Sequence, residues 1–245
     1  MEKINIKIVL IGIPIEKVDC RYLSKWNSIL FKIDKEALLF SNLSNLSHLG
    51  FDGIHLSNIL ISGILENNVI PCDLIIGITD RKLDGDWFTQ RITDKSFIIS
   101  FFGFEDDLRM SEIPLENFIL RFIYPFCLIY LNNKNRIPEQ EKALIHPDSQ
   151  RCIFDFMKYK SDVMVTLIKP KISAHSKANF TVACPVGFLE NIENELQKLN
   201  VKLFYRIMKW IKRKPIFAIL ISGLFALVIN IIAAFVYGFI CNLAH

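Results

Sequence analysis

The run PIFAILISGLFALVINIIAAFVYGFICN, Pro215–Asn242, contains no charged residue and constrains the chain more than any other stretch. A helix rises about 1.5 Å per residue, so about 20 apolar residues cross a hydrocarbon core. This run is longer than that. A helix apolar on every side belongs in the core of a large protein or in a membrane, and this chain has only 245 residues. The run predicts a single transmembrane helix at 215–242, with only Leu243, Ala244 and His245 after it.

The residues before the run predict its orientation. Lys202, Arg206, Lys209, Lys212, Arg213 and Lys214 lie between Val201 and Lys214 without an acidic neighbour. Basic flanks stay on the cytoplasmic side, which predicts a single-pass protein of the cell inner membrane with a cytoplasmic N-terminus. Leu203, Phe204, Ile207, Met208 and Ile211 recur at helical spacing, and Trp210 suits headgroup depth. The stretch reads as an amphipathic basic helix on anionic lipid, or equally as a simple stop-transfer collar.

Within the apolar run, Ala218, Ser222, Ala226, Asn230, Ala234, Gly238 and Asn242 form an unbroken i, i+4 row of small or polar residues. Such rows form helix-packing ridges, small residues let membrane helices approach, and a polar residue there prefers a partner or water to lipid. The row predicts a homo-oligomer of about four chains whose helices could line a pore. Apolar helices also collect Ala and Gly by chance, but seven consecutive matches make chance the weaker account.

Residues 1–200 suffice for one soluble domain with a sizeable core. Of 29 basic residues six sit in the collar, leaving 23 against 25 acidic ones. Residues 1–200 therefore carry no general basic footprint for nucleic acid. The expected division is a domain over 1–185, a connecting helix over 186–214 and the membrane helix over 215–242. Cys20, Cys72, Cys127, Cys152, Cys184 and Cys241 show no C-x-x-C pairing and read as reduced residues of a cytoplasmic protein. The opening MEKINIKIVLIGIPI lacks a cleavage site after its short apolar run and reads as a strand, not a signal peptide.

Along the chain the patterns predict strands at Ile4–Ile13, Trp26–Ile33, Asp73–Thr79 and Ser96–Phe102. They predict helices at His55–Leu65, Pro114–Leu131 and Phe188–Leu199, the second buried on most faces. Asn42–Gly53 and Asn132–Gln140 read as loops and Asp84–Asp86 as a turn. Arg151–Phe156 and Asp162–Leu167 read as short strands or helical turns, undecided. The fold class is α/β (α+β) with a mixed sheet.

Catalytic chemistry is hard to place. H-E-x-x-H, G-x-S-x-G and P-loop motifs are missing, and Gly12, Gly50 and Gly53 do not build a phosphate loop. His48, His55, His146, His175 and His245 form no pair at zinc-ligand spacing. Asp73, Asp80, Asp84 and Asp86 crowd around one strand and could hold a hard cation, although turn chemistry accounts for them as well. The expectation is no catalytic residue, no metal and no cofactor, with the ligand-binding residues open.

The order DLIIGITD (73–80), FIISF (97–101), IPLENFILRFIYPFCLIYL (113–131) and RCIFDFMKYKSDV (151–163) resembles archaemetzincin-like zinc proteases over residues 70–185. The resemblance implies a metzincin-like fold in which Glu116–Leu131 takes the place of the zinc-binding helix, yet that helix contains no histidine. It also implies a structural zinc held by a cysteine at Cys152 and a later C-x-x-C pair. Ser173 and Ser176 stand where the pair belongs. A hydroxyl does not replace a thiolate, and Glu116 has no metal-bound water to activate. The resemblance thus implies the fold and argues against the activity.

A binding domain on a membrane helix suits a sensor or an assembly platform. The layout resembles effectors of bacterial antiviral defence, where a nucleotide or oligonucleotide signal controls a pore; this analogy is one of layout alone. Three readings follow: a pore-forming membrane effector, a tail-anchored scaffold for a partner protein, and a membrane-bound hydrolase with an unfamiliar site.

Overall fold

The computed structural model describes residues 2–40, 55–57, 61–63, 65, 71–140, 144–145, 151–155, 159–168, 170–199, 223 and 225–232. The chain divides into two compact units, Met1–Asn200 and Val201–His245.

In the first unit, strands β1 (Ile4–Ile11), β2 (Phe31–Ile33), β3 (Leu38–Phe40), β5 (Leu74–Thr79), β7 (Thr89–Thr93) and β8 (Ser96–Ser100) form one sheet. Its order is β2-β1-β5-β8-β7. The neighbours pair parallel except β7, which runs antiparallel to β8. β2 and β3 share one edge of β1: β2 pairs with Ile4–Ile6 and β3 with Val9–Ile11. A separate parallel pair joins β4 (His55–Leu56) to β6 (Lys82–Leu83).

Side chains alternate across a strand, and the two faces of this sheet feed two apolar clusters. Ile4, Ile6, Ile8, Leu10, Leu74, Ile76, Ile78, Phe97 and Ile99 enter the larger one. Val9, Ile11 and Ile98 enter the smaller one, with Leu56, Ile61, Leu65 and Leu83. A largely parallel sheet needs cover on both faces. The larger cluster is completed by α3 (Leu115–Asn132), which follows α1 (Cys20–Lys25) and α2 (Glu105–Met110) and precedes α4 (Lys160–Ile168), α5 (Ala174–Asn179) and α6 (Phe188–Lys198). Thirteen of the 18 residues of α3 are buried, so it is the central buried helix that its composition predicts. Pro114 precedes its first turn, where a missing N–H costs nothing, and Pro125 lies inside.

The mixed sheet and the strands at Ile4, Asp73 and Ser96 follow the sequence reading. Other expectations differ. Of Trp26–Ile33 only Phe31–Ile33 is strand, because the Glu195 carboxylate of α6 takes the Ser28 hydroxyl and the Ile29 N–H. His55–Leu56 is strand, and among the described residues helix is present at 61–63 and 65. Asp162–Leu167 is helical. Cys152 forms only an isolated bridge with Lys171. The helix α6 buries Phe188, Ile192 and Leu196 in the first unit.

Of the second unit, residues 223 and 225–232 are described, as helix, and every described side chain is exposed. Phe225 is 65%, Leu227 62% and Ile232 56% exposed. Among the described residues no helix is long and apolar enough to cross a membrane. The collar Lys202–Lys214 lies outside the described residues, as do Ala218, Ser222, Ala234, Gly238 and Asn242. Ala226 and Asn230 are within them.

Candidate functional site

The long helix α3 presents Phe122, Pro125, Phe126 and Ile129 to a groove of about 250 Å³. Trp87, Phe88, Thr89 and Arg91 form the side contributed by β7 and the turn before it, and Ile137, Pro138 and Glu139 face them. Ile145, Ile153, Phe154 and Asp155 complete the lining. The helix face is apolar because 122, 125, 126 and 129 fall on one side of a 3.6-residue turn. Phe126 stacks on Phe97 of β8 with centroids 4.0 Å apart, and Phe122 meets Phe118 edge-on at 5.0 Å. These ring contacts fix the floor.

Charge stays at the rim. Arg91 gives its Nε–H to the Ile137 carbonyl at 2.7 Å, while Ile137 donates its N–H to the Asp94 carbonyl at 2.7 Å. The loop after α3 is thereby held against the end of β7. Glu139 and Asp155 outnumber the one cation. The volume lies below the ~300–1,000 Å³ of most ligand pockets. It suits one or two apolar groups of side-chain size, and its charge is the reverse of a phosphate cradle.

Gly85 controls one wall. Its φ is +71°, and a Cβ there would stand 2.8 Å from Trp87 Nε1. Gly85→Ala is therefore expected to cost about 1–2 kcal/mol and to move the indole. Thermal unfolding together with a shift in tryptophan emission checks this; unchanged emission would show that the wall does not depend on this glycine.

Beneath the 151–155 wall lies a compact polar knot. The Cys152 thiol, fully buried, receives the N–H of Ser173 at 3.4 Å and that of Phe154 at 3.5 Å. Ser176 Oγ lies 3.7 Å from the Cys152 sulfur and 3.0 Å from Ser173 Oγ, and it donates to the Leu144 carbonyl at 3.1 Å. A hydroxyl has one proton. With that proton on Leu144, Ser176 accepts from its two neighbours. Ser173 also caps α5 by accepting the Ser176 N–H at 3.1 Å. Burial pushes the Cys152 thiol up, but hydrogen bonding from the Phe154 and Ser173 N–H groups and the polar serine side chains beside it outweigh that, and its pKa falls below the ordinary thiol value.

The structure thus brings together Cys152, Ser173 and Ser176, the three positions that the resemblance assigns to a structural zinc. The donor set, one thiol and two hydroxyls engaged with one another, does not fit that ion.

Arg121 stands beside the knot, 0% exposed. It donates through Nε to Thr166 Oγ1 at 3.2 Å and through Nη2 to the Cys152 carbonyl at 3.3 Å, with its guanidinium 5.5 Å from the Phe122 ring centre. Burial lowers its pKa to about 10. Sequence reading passed over it because a lone basic residue in an apolar helix carries no motif. Its signal was the one basic residue within IPLENFILRFIYPFCLIYL.

The other candidates do not gather. Asp73 accepts the backbone and side-chain N–H groups of Asn5 before β5, and Asp80 binds Lys17 at 3.0 Å after it. Six strand residues separate them by about 20 Å. Among the described residues no group of three His, Cys, Asp or Glu side chains could hold a metal ion. Glu116 accepts the Asp19 N–H at 2.8 Å, tying the start of α3 to α1. His55 lies on β4 and His175 on α5, while His48, His146 and His245 fall outside the described residues. Cys20, Cys72, Cys127, Cys152 and Cys184 are free thiols.

In comparisons with known proteins, no family model, no curated protein and no solved structure matches this chain.

Proposed function

We propose that this chain is a non-enzymatic membrane effector. In this reading the α+β domain senses a ligand in the groove beside α3, and the 215–242 helices of several copies assemble into a membrane pore. The observation that carries the reading is the uncharged run Pro215–Asn242 behind its basic collar. The helix at 225–232 supports it. Nearly every residue there is apolar and all are exposed, which is costly in water and natural in lipid or against other helices. The mixed sheet followed by a long buried helix, and the meeting of Cys152 with Ser173 and Ser176, support descent from the zinc-protease fold with its metal sites replaced. The groove favours an apolar group of the signal over a phosphate. A role in antiviral defence rests on layout, and a nucleotide signal would need basic groups beyond Arg91.

The test uses the full chain in mild detergent and in planar bilayers. A closed ring of about four or more protomers that conducts is the expected result. A monomer without conductance overturns the reading. Ala226→Leu and Gly238→Phe should break the ring while Leu227→Phe should not, and Asn230→Leu should insert normally yet abolish conductance. Equal effects from the row and from Leu227→Phe would show that the row is not the helix contact.

A second reading has an observation of its own. β7 has no strand beyond it among the described residues, and it borders the groove. A partner's extended segment could pair with that edge and set an apolar side chain in the groove, which would make the chain a tail-anchored scaffold. Stable recruitment of a partner by a monomeric, non-conducting chain would favour it.

A further inference from the structure

Helix α3 bears two stripes of different chemistry. Phe122, Pro125, Phe126 and Ile129 line the groove. Asn117 and Tyr124 lie roughly 130° away around the axis, and both engage the last helix of the domain. Tyr124, 0% exposed, donates its hydroxyl to Glu195 Oε2 on α6 at 2.7 Å and accepts the Trp26 Nε1–H at 2.8 Å. Glu195 also accepts Ser28 Oγ–H and the Ile29 N–H, each at 2.8 Å. At the start of α3, Asn117 Nδ2 donates to the Leu199 carbonyl at 2.6 Å and Oδ1 accepts the Tyr22 hydroxyl at 3.3 Å.

The physical stakes of this cluster are high. Glu195 is only 6% exposed, and its three donors are neutral. A buried polar group costs little while satisfied and much when one partner leaves, so such a network is held whole or given up whole. It fastens α6 to the helix that floors the groove. Residue 201 begins the stretch that leads through the basic collar to the apolar run.

The two stripes meet at neighbouring residues. Pro125 lines the groove and Tyr124 makes the bond to α6. Pro125 lacks an N–H, so the Arg121 carbonyl has no donor at the usual helical position. A helix bends most readily where a proline removes a rung. A group entering the groove presses on Pro125 at this soft point, one residue from the Tyr124 hydroxyl.

We propose that the Tyr124–Glu195 clip couples the groove to the chain's exit toward the membrane: an occupied groove releases the clip and loosens α6. This rests on the groove being the ligand site of the proposed function. Its experiment needs no ligand, since the groove can be filled by mutation.

Ile145→Trp at the rim and Ile129→Phe on the floor serve as two independent fillers, measured in the full chain in detergent by amide hydrogen exchange. Ile145 is 36% exposed, so its replacement spares the core. Both fillers should speed exchange of the α6 amides by about tenfold, the effect of losing one buried hydrogen bond. Tyr124→Phe, which removes the donor of the clip, and Ser28→Ala, which removes a second donor to the same Glu195 Oε2, should do the same in an unfilled groove. Filler and clip-breaker together should give no further acceleration. Each variant is first required to keep a cooperative thermal transition, and the paired choices at each end secure a folded representative.

Unchanged α6 exchange in both fillers overturns the proposal, and so do additive effects of filler and clip-breaker. Exchange and conductance are read separately. A conducting ring without coupling would remove the clip and leave the effector, while coupling in a non-conducting chain would remove the pore and leave the clip.

Discussion

Replacing Ser173 and Ser176 together by cysteine is expected to make the chain take up about one equivalent of zinc or cobalt, where the parent chain takes up far less. The reason is geometric. With Zn–S bonds of about 2.3 Å, the sulfur–sulfur edge of a tetrahedron is about 3.8 Å. Cys152 Sγ and Ser176 Oγ already stand 3.7 Å apart, and the two serine oxygens 3.0 Å apart. Longer C–S bonds would widen the second distance toward the same value. The two serines also have the three-residue spacing of a C-x-x-C pair on a helix start. Three thiolates leave the fourth position to water or a nearby carbonyl. Cobalt charge-transfer absorption and elemental analysis of the purified double variant give the readout. Metal in excess should also raise its melting temperature, since binding to the folded form alone stabilises it. Uptake no greater than that of the parent would show that the knot only resembles a metal cage.

The largest loss of stability is expected from Arg121→Ala. The guanidinium is wholly buried, holds Thr166 and the Cys152 carbonyl, and packs near Phe122. Alanine strands the Cys152 carbonyl, leaves a cavity of several methylenes and frees the 151–155 wall. Losing such a buried group costs about 3–5 kcal/mol. For a domain near 200 residues that is a drop of roughly 10 °C or more in melting temperature. Arg121→Met restores most of the volume and removes the desolvation that lowers the native pKa, so it should lose no more than about 2 kcal/mol. Melting curves of the full chain with both variants decide this. Equal loss in the two would assign the role of Arg121 to hydrogen bonding alone, and no loss in either would mean that the buried charge contributes nothing.

The elements that were legible in the sequence are those whose burial is uniform. Ile4–Ile11, Leu74–Thr79 and Ser96–Ser100 are covered on both faces, so they read as apolar runs, and α3 reads as buried for the same reason. β7 was not legible. TQRIT is half-buried at every position and holds its place by pairing with β8, and half-burial leaves no alternation to detect. The groove was missed with it, because its lining comes from five separated segments that only the fold assembles. Trp26–Leu30 looked like strand because its apolar residues were visible while the Glu195 carboxylate that fixes it lies 166 residues away. The thiol–serine knot was legible only through order along the chain, since two serines three apart carry no signal of their own.

The divided edge of β1 has a consequence for how copies of this chain can meet. An unbroken edge strand offers a ladder of backbone groups to any other sheet, the usual start of edge-to-edge aggregation. Here β2 and β3 cover the two ends of β1 and part company at residues 34–37, where Asp34 binds Lys7 at 2.9 Å and Lys35 and Glu36 add exposed charge. Strands of three residues, offset along their neighbour and separated by charge, give an incoming strand too few rungs to hold. A chain that is 51% hydrophobic can therefore be concentrated without its sheets joining along this side.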